Sequence, residues 1–291
     1  MKKSIGLFLF IVLWAIICPL IANAMFSKSK DISKDNTNSY ISDNMEISKD
    51  NENVSENANQ GITIIELMTA QRMKQFEGLY SEETLKAIAI IIRTQILFSD
   101  EKTDFSSDLE IQIPSYIAST KSQVITYNGK IINPPYHISS YKTTAPSSLS
   151  EQYLVAVETP ENAEDIKKIT TVSKNDFKKG LLALCPGIIF DESTLINNIE
   201  QDGNNRCKFI NAGNCAISAV AFAEKFSLPS LCFEIIEKNN IVEIISYGEG
   251  DGVGMSISGA EIFAQRGMNF EEILSHYYSD IEILNIEDIQ K

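Results

Sequence analysis

Two short segments of this sequence carry residues whose types and spacing suit chemistry, and the first is a glycine-rich loop. In that loop every second residue is glycine, at positions 248, 250, 252 and 254. Such alternation is unfavourable in helices and in ordinary strands, so it indicates positive φ angles or the close approach of another group. The small residues Gly259 and Ala260 then open a predicted helix, whose first N–H groups can bind a ligand. A glycine-rich turn without a ligand is the simpler interpretation of the same spacing.

The second segment is a cluster of polar side chains that directly follows a short predicted strand. It contains Tyr136, His137, Ser139 and Ser140. An imidazole beside hydroxyl groups can form hydrogen bonds with a polar ligand. A lone histidine is nevertheless more often a packed or exposed structural residue than a catalytic one.

Two predicted helices precede this polar cluster. Residues 62–76 have an amphipathic spacing, and a second helix begins after Ser81, a residue that suits the N-cap. The predicted buried stripe of the second helix consists of Leu85, Ile88, Ala89, Ile92 and Ile96. Lys86 and Arg93 lie two turns apart on one side of it, and the pattern alone favours a surface position for Arg93.

Short strands and helices are predicted for the rest of the chain. Strands at 123–127 and 130–132 flank a hairpin turn at Asn128-Gly129. The later predicted elements are a helix at 218–226, strands at 231–236 and 241–247, a helix at 259–265, and a final helix through Tyr278 that opens with a capping box at Asn269 and Glu272. The predicted class is α+β, in a single domain with a helical N-terminal part and short mixed β-structure.

The N-terminus carries an export signal. Lys2 and Lys3 precede an apolar run over residues 4–22, and Ala22-Asn23-Ala24 offers a cleavage site. The run is also long enough for an uncleaved anchor, so residues 1–24 are either a signal peptide or a signal-anchor helix. Residues 25–61 are polar and predict a flexible, disordered linker, and residues 62–291 form the folded domain. We therefore expect an extracytoplasmic domain on a single-pass membrane protein, or a secreted one if cleavage follows Ala24.

Charge and cysteine content narrow the function further. A net charge of −14 argues against nucleic acid as a partner. Four cysteines follow the export signal, namely Cys185, Cys207, Cys215 and Cys232. They allow two disulfides in three pairings, but isolated buried thiols are the default interpretation. Because no CxxC pair exists and the cysteines lie far from both histidines in sequence, a metal site has weak support.

Three pieces of the chain, in order within residues 62–285, resemble one family. Residues 83–94 are similar to its EALKAQAVAARTY helix. Residues 123–140 are similar to its GQVxxYxGxxI and YHSSSGG steps. Residues 250–260 with 273–278 are similar to its GHGVGMSQYGA and ILxHYY steps. The sequence is identified on these motifs as a divergent member of the stage II sporulation protein D (SpoIID/LytB) family.

That resemblance implies chemistry on the cell wall. Active family members are lytic transglycosylases that cleave peptidoglycan glycan strands stripped of their peptides, and they work during engulfment with an amidase and other membrane proteins. One glutamate protonates the glycosidic oxygen and then helps the sugar's C6 hydroxyl to close a 1,6-anhydro ring. That glutamate lies eight residues before the counterpart of Glu83, a position that Gln75 occupies here. An amide cannot transfer the protons, and losing such a group typically costs about 10²–10⁴ in rate.

Other family positions have changed as well. In this sequence Tyr141 and Lys142 replace the two glycines that follow the family's serines. Asp251 replaces the histidine of the family's glycine-rich loop, and Ile257 replaces the glutamine of its MSQ step. Some members bind zinc through cysteines near the counterpart of His137. Because no cysteine lies near His137 in this sequence, we predict no such zinc site and no cofactor.

The resemblance gives the predicted site. Its substrate-binding residues are Lys86, Arg93, Tyr136, His137, Ser139, Ser140, Asp251, Gly252, Gly254 and Ser256. Gln75 marks the inert catalytic position, and Glu77 or Glu66 is a less favoured substitute acid. The leading hypothesis is an exported protein that binds glycan strands or a partner hydrolase and has lost or weakened the transglycosylase activity. The alternatives are an active transglycosylase, a LytB-like amidase activator, and a decayed paralogue without selected activity.

Overall fold

The computed structural model describes residues 64–99, 112–147, 149, 151–191 and 194–289. The predicted signal or anchor at 1–24 and the predicted linker at 25–61 lie outside the described residues. Within the described part, no helix combines the length and the apolar character that crossing a membrane requires. The predicted α+β class is confirmed, because the described chain contains both helices and strands and most of its strand pairs are antiparallel.

The described chain begins with two helices that are joined by a turn. Helix α1 covers residues 64–73, and α2 runs over Glu82–Phe98 with Ser81 at its N-cap position. The Ser81 hydroxyl accepts no capping hydrogen bond from α2, and it donates to Glu261 Oε2 at 2.9 Å. The predicted stripe on α2 is buried as expected, and Ile90 and Ile91 are fully buried too. Helix α2 is enclosed on most sides because a sheet and three other helices pack around it.

A small antiparallel sheet lies against α2. Short helix α3 (Ser115–Ala118) leads to β1 (Gln123–Tyr127) and β2 (Lys130–Ile131), and the predicted hairpin turn between them is confirmed. Strand β11 (Ile281–Asn285), which sequence reasoning did not predict, pairs with β1 in the order β11-β1-β2. The C-terminal part of the chain therefore closes this sheet, and α8 (Ile286–Ile289) follows it.

A second, two-stranded sheet joins distant parts of the chain. Strand β3 (Tyr136–His137) pairs in parallel with β10 (Met255–Ser256). Helix α6 (Ile257–Gln265) begins directly after β10, and α7 (Phe270–Tyr277) follows with the predicted capping box of Asn269 and Glu272. These elements pack on α2 and complete the first hydrophobic core.

The remaining elements surround a second hydrophobic core. In chain order they are β4 (Lys167–Ser173), α4 (Lys174–Leu184), β5 (Asn198–Gln201), β6 (Cys207–Ala212), β7 (Cys215–Ser218), α5 (Ala219–Phe226), β8 (Phe233–Glu237) and β9 (Ile241–Tyr247). They form two antiparallel sheets, ordered β4-β9-β8 and β5-β6-β7. We call the described residues of 167–247 the sheet region and those of 64–166 and 248–289 the helical region.

The cysteines lie in the sheet region and differ in state. Cys185 and Cys215 form a disulfide, whereas Cys207 and Cys232 are free and buried. The default prediction of isolated thiols is therefore wrong for the first pair and confirmed for the second. Sequence spacing could not choose the pair, because the pairing depends on how the segment after α4 approaches β7.

Candidate functional site

The structure brings the three motif pieces together at β3 and β10. Tyr136 lies opposite Met255 and His137 opposite Ser256 in the parallel pair, so the polar cluster adjoins the end of the glycine-rich loop. The turn between α1 and α2 reaches the same place, because the Phe76 ring packs edge-on against the Tyr136 ring, with the two ring centroids 6.2 Å apart. Residues that are more than 100 positions apart in sequence therefore pack together in one part of the molecule.

The glycine-rich loop has the backbone that its spacing predicts. The φ angles of Gly248, Gly250, Gly252 and Gly254 are 81°, 110°, 81° and 74°. Space is restricted as well, since a Cβ atom on Gly252 would lie 1.9 Å from the guanidinium of Arg206. A Cβ atom on Gly254 would lie 1.9 Å from the carbonyl oxygen of Pro135. Both reasons for glycine, positive φ and close approach, therefore apply in this loop.

The N-terminus of α6 is occupied by the chain's own groups. Ser256 is the N-cap and accepts a hydrogen bond from Gly259 N at 3.2 Å. The Ser256 hydroxyl also donates to the carboxylate of Glu161, which is only 9% exposed. An internal carboxylate thus takes the place that the sequence predicted for a ligand at this helix end.

His137 is buried and fully hydrogen-bonded. Its Nδ1 lies 3.1 Å from the carbonyl oxygen of Val253, and its Nε2 lies 2.5 Å from Ser140 Oγ. Because a carbonyl can only accept, Nδ1 carries the proton and Nε2 accepts the hydrogen of the Ser140 hydroxyl. Burial, together with the nearby Arg206, lowers the pKa of His137 to about 4, so the imidazole is neutral at pH 7.

The two predicted serines are also part of the internal structure. Ser139 exchanges backbone hydrogen bonds with Glu249 at 3.1 and 3.0 Å and thereby attaches the polar segment to the glycine-rich loop. The Ser140 backbone N–H donates to Glu161 Oε1 at 3.1 Å. Both residues are buried, so their first role in this structure is to hold the loop in place.

Glu161 is the member of this site that sequence reasoning missed. It accepts hydrogen bonds from Ser140 and Ser256, and burial raises the pKa of its carboxyl group. Its second oxygen, Oε2, is buried without a hydrogen-bond partner, as is the hydroxyl of Tyr277. Glu161 follows Pro160 in a stretch without periodicity, so no sequence signal pointed to its role.

Gln75 and Glu77 lie in the exposed turn between α1 and α2. The Gln75 amide donates to the carbonyl oxygen of Arg72 at 3.2 Å. Glu77 accepts a hydrogen bond from the Tyr116 hydroxyl at 3.3 Å, and burial together with this carboxylate raises the pKa of Tyr116 to about 12. The turn therefore presents an amide at residue 75 and a carboxylate tied to a tyrosine at residue 77.

Arg93 is not the surface charge that the residue pattern favoured. It is fully buried, and its Nη2 lies 2.7 Å from Glu66 Oε2 while Nη1 donates to Gln123 O at 3.0 Å. Glu66 is buried as well and accepts from Ser122 N at 3.0 Å, so both charges lie inside the helical region. The surface prediction failed because α2 is enclosed and a carboxylate from α1 neutralises the guanidinium. With no exposed surface, Arg93 offers no donor to a ligand and Glu66 no accessible acid.

Lys86 and Asp251 differ in their surroundings. Lys86 Nζ lies 2.7 Å from Glu83 and 3.1 Å from Glu82, on the side of α2 where Glu83 accepts from Phe270 N at 2.8 Å. Its charge is thus paired within its own helix. Asp251 is exposed on the glycine-rich loop and accepts from Val253 N at 2.9 Å, close enough to His137 to oppose the lowering of its pKa.

The residues around His137 do not suit zinc. Zinc in proteins is held by sulfur and nitrogen ligands with free lone pairs, commonly cysteine and histidine. Both ring nitrogens of His137 are engaged in hydrogen bonds, and two of the four downstream cysteines form a disulfide. Across the residues that the structure describes, His, Cys, Asp and Glu form no cluster of three or more that could hold a metal. The proposed chemistry of this chain therefore does not involve zinc, and the absence of a cofactor remains a prediction.

Comparison with known proteins gives two curated relatives and no matching family model. Stage II sporulation protein D of Bacillus subtilis (strain 168) is 26% identical over 189 residues, which cover 62% of this chain and 53% of that protein. Stage II sporulation protein D of Bacillus amyloliquefaciens is 25% identical over 187 residues, with the same coverage. This chain therefore spans about half the length of the curated relatives it matches. The predicted resemblance is confirmed, because the chain is a divergent relative of these two stage II sporulation D proteins.

Proposed function

We propose that this chain is an exported sporulation protein of the cell wall that binds peptidoglycan glycan strands and has lost or weakened the transglycosylase activity of its family. The observation that carries the proposal is Gln75, which stands at the position of the family's glutamate. Its amide lies in an exposed turn, where a strand could reach it, and the next residue, Phe76, packs against Tyr136. The framework of the site persists, while the group that moves protons is absent.

The chemistry of the reaction supports this proposal. Cleavage of a glycosidic bond needs an acid that protonates the leaving oxygen, and enzymes raise the pKa of a carboxyl group for that purpose. Gln75 has no proton to give. Glu66, one substitute, is buried in its ion pair with Arg93. Glu161 is buried, and one of its carboxylate oxygens accepts hydrogen bonds from Ser140 and Ser256.

Glu77 is the remaining substitute and defines the second candidate function, an active transglycosylase with a displaced acid. The observation in its favour is that its carboxylate is exposed two residues from Gln75 and oriented by the Tyr116 hydroxyl. We rank it second because a displacement of about 1 Å in a catalytic group can cost about 10²-fold in rate. A partner hydrolase, such as an amidase, is a further proposed ligand of the same face.

Two assays on the purified full chain test the proposal. The first measures binding of glycan strands that have been stripped of their peptides, and we expect retention of the strands. The second measures release of 1,6-anhydro products from those strands, and we expect none above background. Robust product formation would contradict the loss of activity. If product forms in the parent chain and disappears in Glu77→Gln, the displaced-acid alternative holds.

A further inference from the structure

A surface cavity lies beside the site, where the helical and sheet regions meet. Its volume is about 180 Å³, and its lining includes Tyr141, Lys142, Asn205, Cys232, Glu234 and Tyr247. Among these residues Cys232 is buried, whereas Lys142 and Glu234 are exposed. Ligand pockets commonly measure about 300–1,000 Å³, so this cavity suits one ring of a longer ligand rather than a whole one.

The backbone of this cavity is unusual at two positions. Lys142 has a φ of 64° and Asn205 a φ of 61°, both in the left-handed region. Asparagine tolerates this conformation, but lysine adopts it rarely, whereas glycine adopts it without steric cost. Lys142 stands where the family motif has a glycine, and it has kept a glycine-like backbone while gaining a charged side chain. Uncommon backbone conformations of this kind cluster at functional sites.

The neighbouring tyrosines hold the lysine side chain at the cavity. The Tyr141 and Tyr247 rings stack with centroids 4.7 Å apart, and Lys142 Nζ lies 4.9 Å from the Tyr141 centroid. A cation placed over an aromatic ring is stabilised by the electrons of its face. In the described part of the chain Lys142 forms no ion pair, unlike Lys86 and Lys167. The ammonium group is thus positioned at the cavity and available to an anion from outside.

The opposite side of the cavity offers hydrogen-bonding groups. The Tyr247 hydroxyl donates to Glu234 Oε1 at 2.7 Å, which leaves the other carboxylate oxygen of Glu234 as an acceptor. The amide of Asn205 supplies both donors and an acceptor. This combination of a cation, a carboxylate and an amide beside aromatic rings matches a sugar ring that bears hydroxyl groups and one carboxylate.

We propose that this cavity binds one amino-sugar unit that carries a free carboxylate, with Lys142 as the residue that pairs with that carboxylate. A peptidoglycan strand exposes such a unit once its peptides are removed, because the lactyl group of its muramic acid then ends in a carboxylate. The inference rests on the proposed function, since it assigns a carboxylate-selective subsite to the glycan-binding face. It also explains how a chain with a net charge of −14 can bind an anionic strand through one local cation.

The decisive variant is Lys142→Gly, because glycine fits the backbone at this position. We expect its melting temperature to stay equal or to rise, so weaker binding cannot come from misfolding. Binding of the full chain to peptide-free muramyl oligosaccharides should weaken about tenfold, as expected for the loss of a charge-assisted hydrogen bond. The matched control is Lys121→Ala, which removes an exposed lysine before β1 and should leave binding unchanged.

A second ligand separates the carboxylate contact from general sugar binding. Chitin oligosaccharides of the same length have no lactyl carboxylate, so the parent chain should prefer the muramyl ligand and Lys142→Gly should lose that preference. If the parent chain binds neither ligand, the proposed function itself fails. If it binds the muramyl ligand and Lys142→Gly binds with the same affinity and preference, the glycan proposal stands and the Lys142 subsite is overturned.

Discussion

The helical and sheet regions each have an apolar core, but they differ in the buried polar groups that accompany it. The helical region buries charged and polar side chains, such as the Glu66–Arg93 pair and the network of His137 with Glu161. The core of the sheet region is apolar and aromatic, with the rings of Phe177, Phe222, Phe226 and Phe233 in contact and a disulfide at its edge. All three motif pieces belong to the helical region.

This difference indicates how the helical region fixes its geometry. Buried polar networks constrain geometry, because each member loses stability if a partner moves. The buried pair of Glu66 with Arg93 and the network of His137 with Glu161 therefore hold the arrangement of α2, β3 and the glycine-rich loop. The sheet region contacts that arrangement through Arg206, which packs against Gly252 and donates to Thr143 O at 3.4 Å, and through Pro229 O, which accepts from Gly250 N at 2.9 Å.

The largest effect should come from breaking the buried ion pair of the helical region. Glu66→Gln leaves the Arg93 guanidinium buried without a negative charge, which should lower the free energy of unfolding by about 3–5 kcal/mol. Denaturation in urea measures this loss. Lys167→Gln in the sheet region removes an ion pair whose carboxylate partner is 71% exposed, and it should cost no more than about 1 kcal/mol. Equal losses in the two variants would contradict the contrast between the regions.

Loss of the disulfide should lower the free energy of unfolding nearly as much as loss of the buried ion pair, but mainly in the sheet region. It closes a loop with a sequence separation of 30 residues, and its loss in Cys185→Ala/Cys215→Ala should cost about 3–4 kcal/mol by loop entropy. Hydrogen exchange should speed up in β5, β6 and β7 while α2 stays protected. Adding a reductant should weaken the parent chain and leave the double variant unchanged. Equally faster exchange in α2 would show that the two regions unfold as one unit.

Acid should weaken the helical region through His137. The unfolded imidazole takes up a proton near pH 6.5, whereas the buried one does so only near its pKa of about 4. Protonation therefore favours the unfolded state between these values, so stability is complete above pH 6.5 and falls by about 3 kcal/mol as the pH drops to 4. Urea denaturation at several pH values between 4 and 6.5 measures the slope of the free energy of unfolding against pH.

A matched pair of histidine variants isolates that contribution from the acid titration of carboxyl groups. His137→Gln should flatten the slope between pH 6.5 and 4. His276→Gln changes the other histidine, whose half-buried ring packs against Phe263, and should keep the parent chain's slope of the free energy of unfolding against pH. The same slope in His137→Gln and the parent chain would mean that the buried imidazole does not control this pH dependence.

The sequence predicted local features better than long-range ones. The stripe of α2, the β1–β2 hairpin, the capping box of α7 and the positive φ angles of the glycine-rich loop follow from neighbouring residues, and all were confirmed. The burial of Arg93, the disulfide and the role of Glu161 depend on partners 27, 30 and 95 positions away. Contacts between residues so far apart in sequence do not affect the local spacing of residue types, so only the structure reveals them.

Restoring the family's acid tests the central claim most directly. Gln75→Glu changes one exposed amide into a carboxyl group and should leave stability and glycan binding near those of the parent chain. Release of 1,6-anhydro products from peptide-free strands should rise by about 10²-fold or more, because the missing proton donor returns. The same assay on the parent chain should show no release above background. Robust release by the parent chain, unchanged in Gln75→Glu, would contradict the claim that Gln75 accounts for the loss of activity.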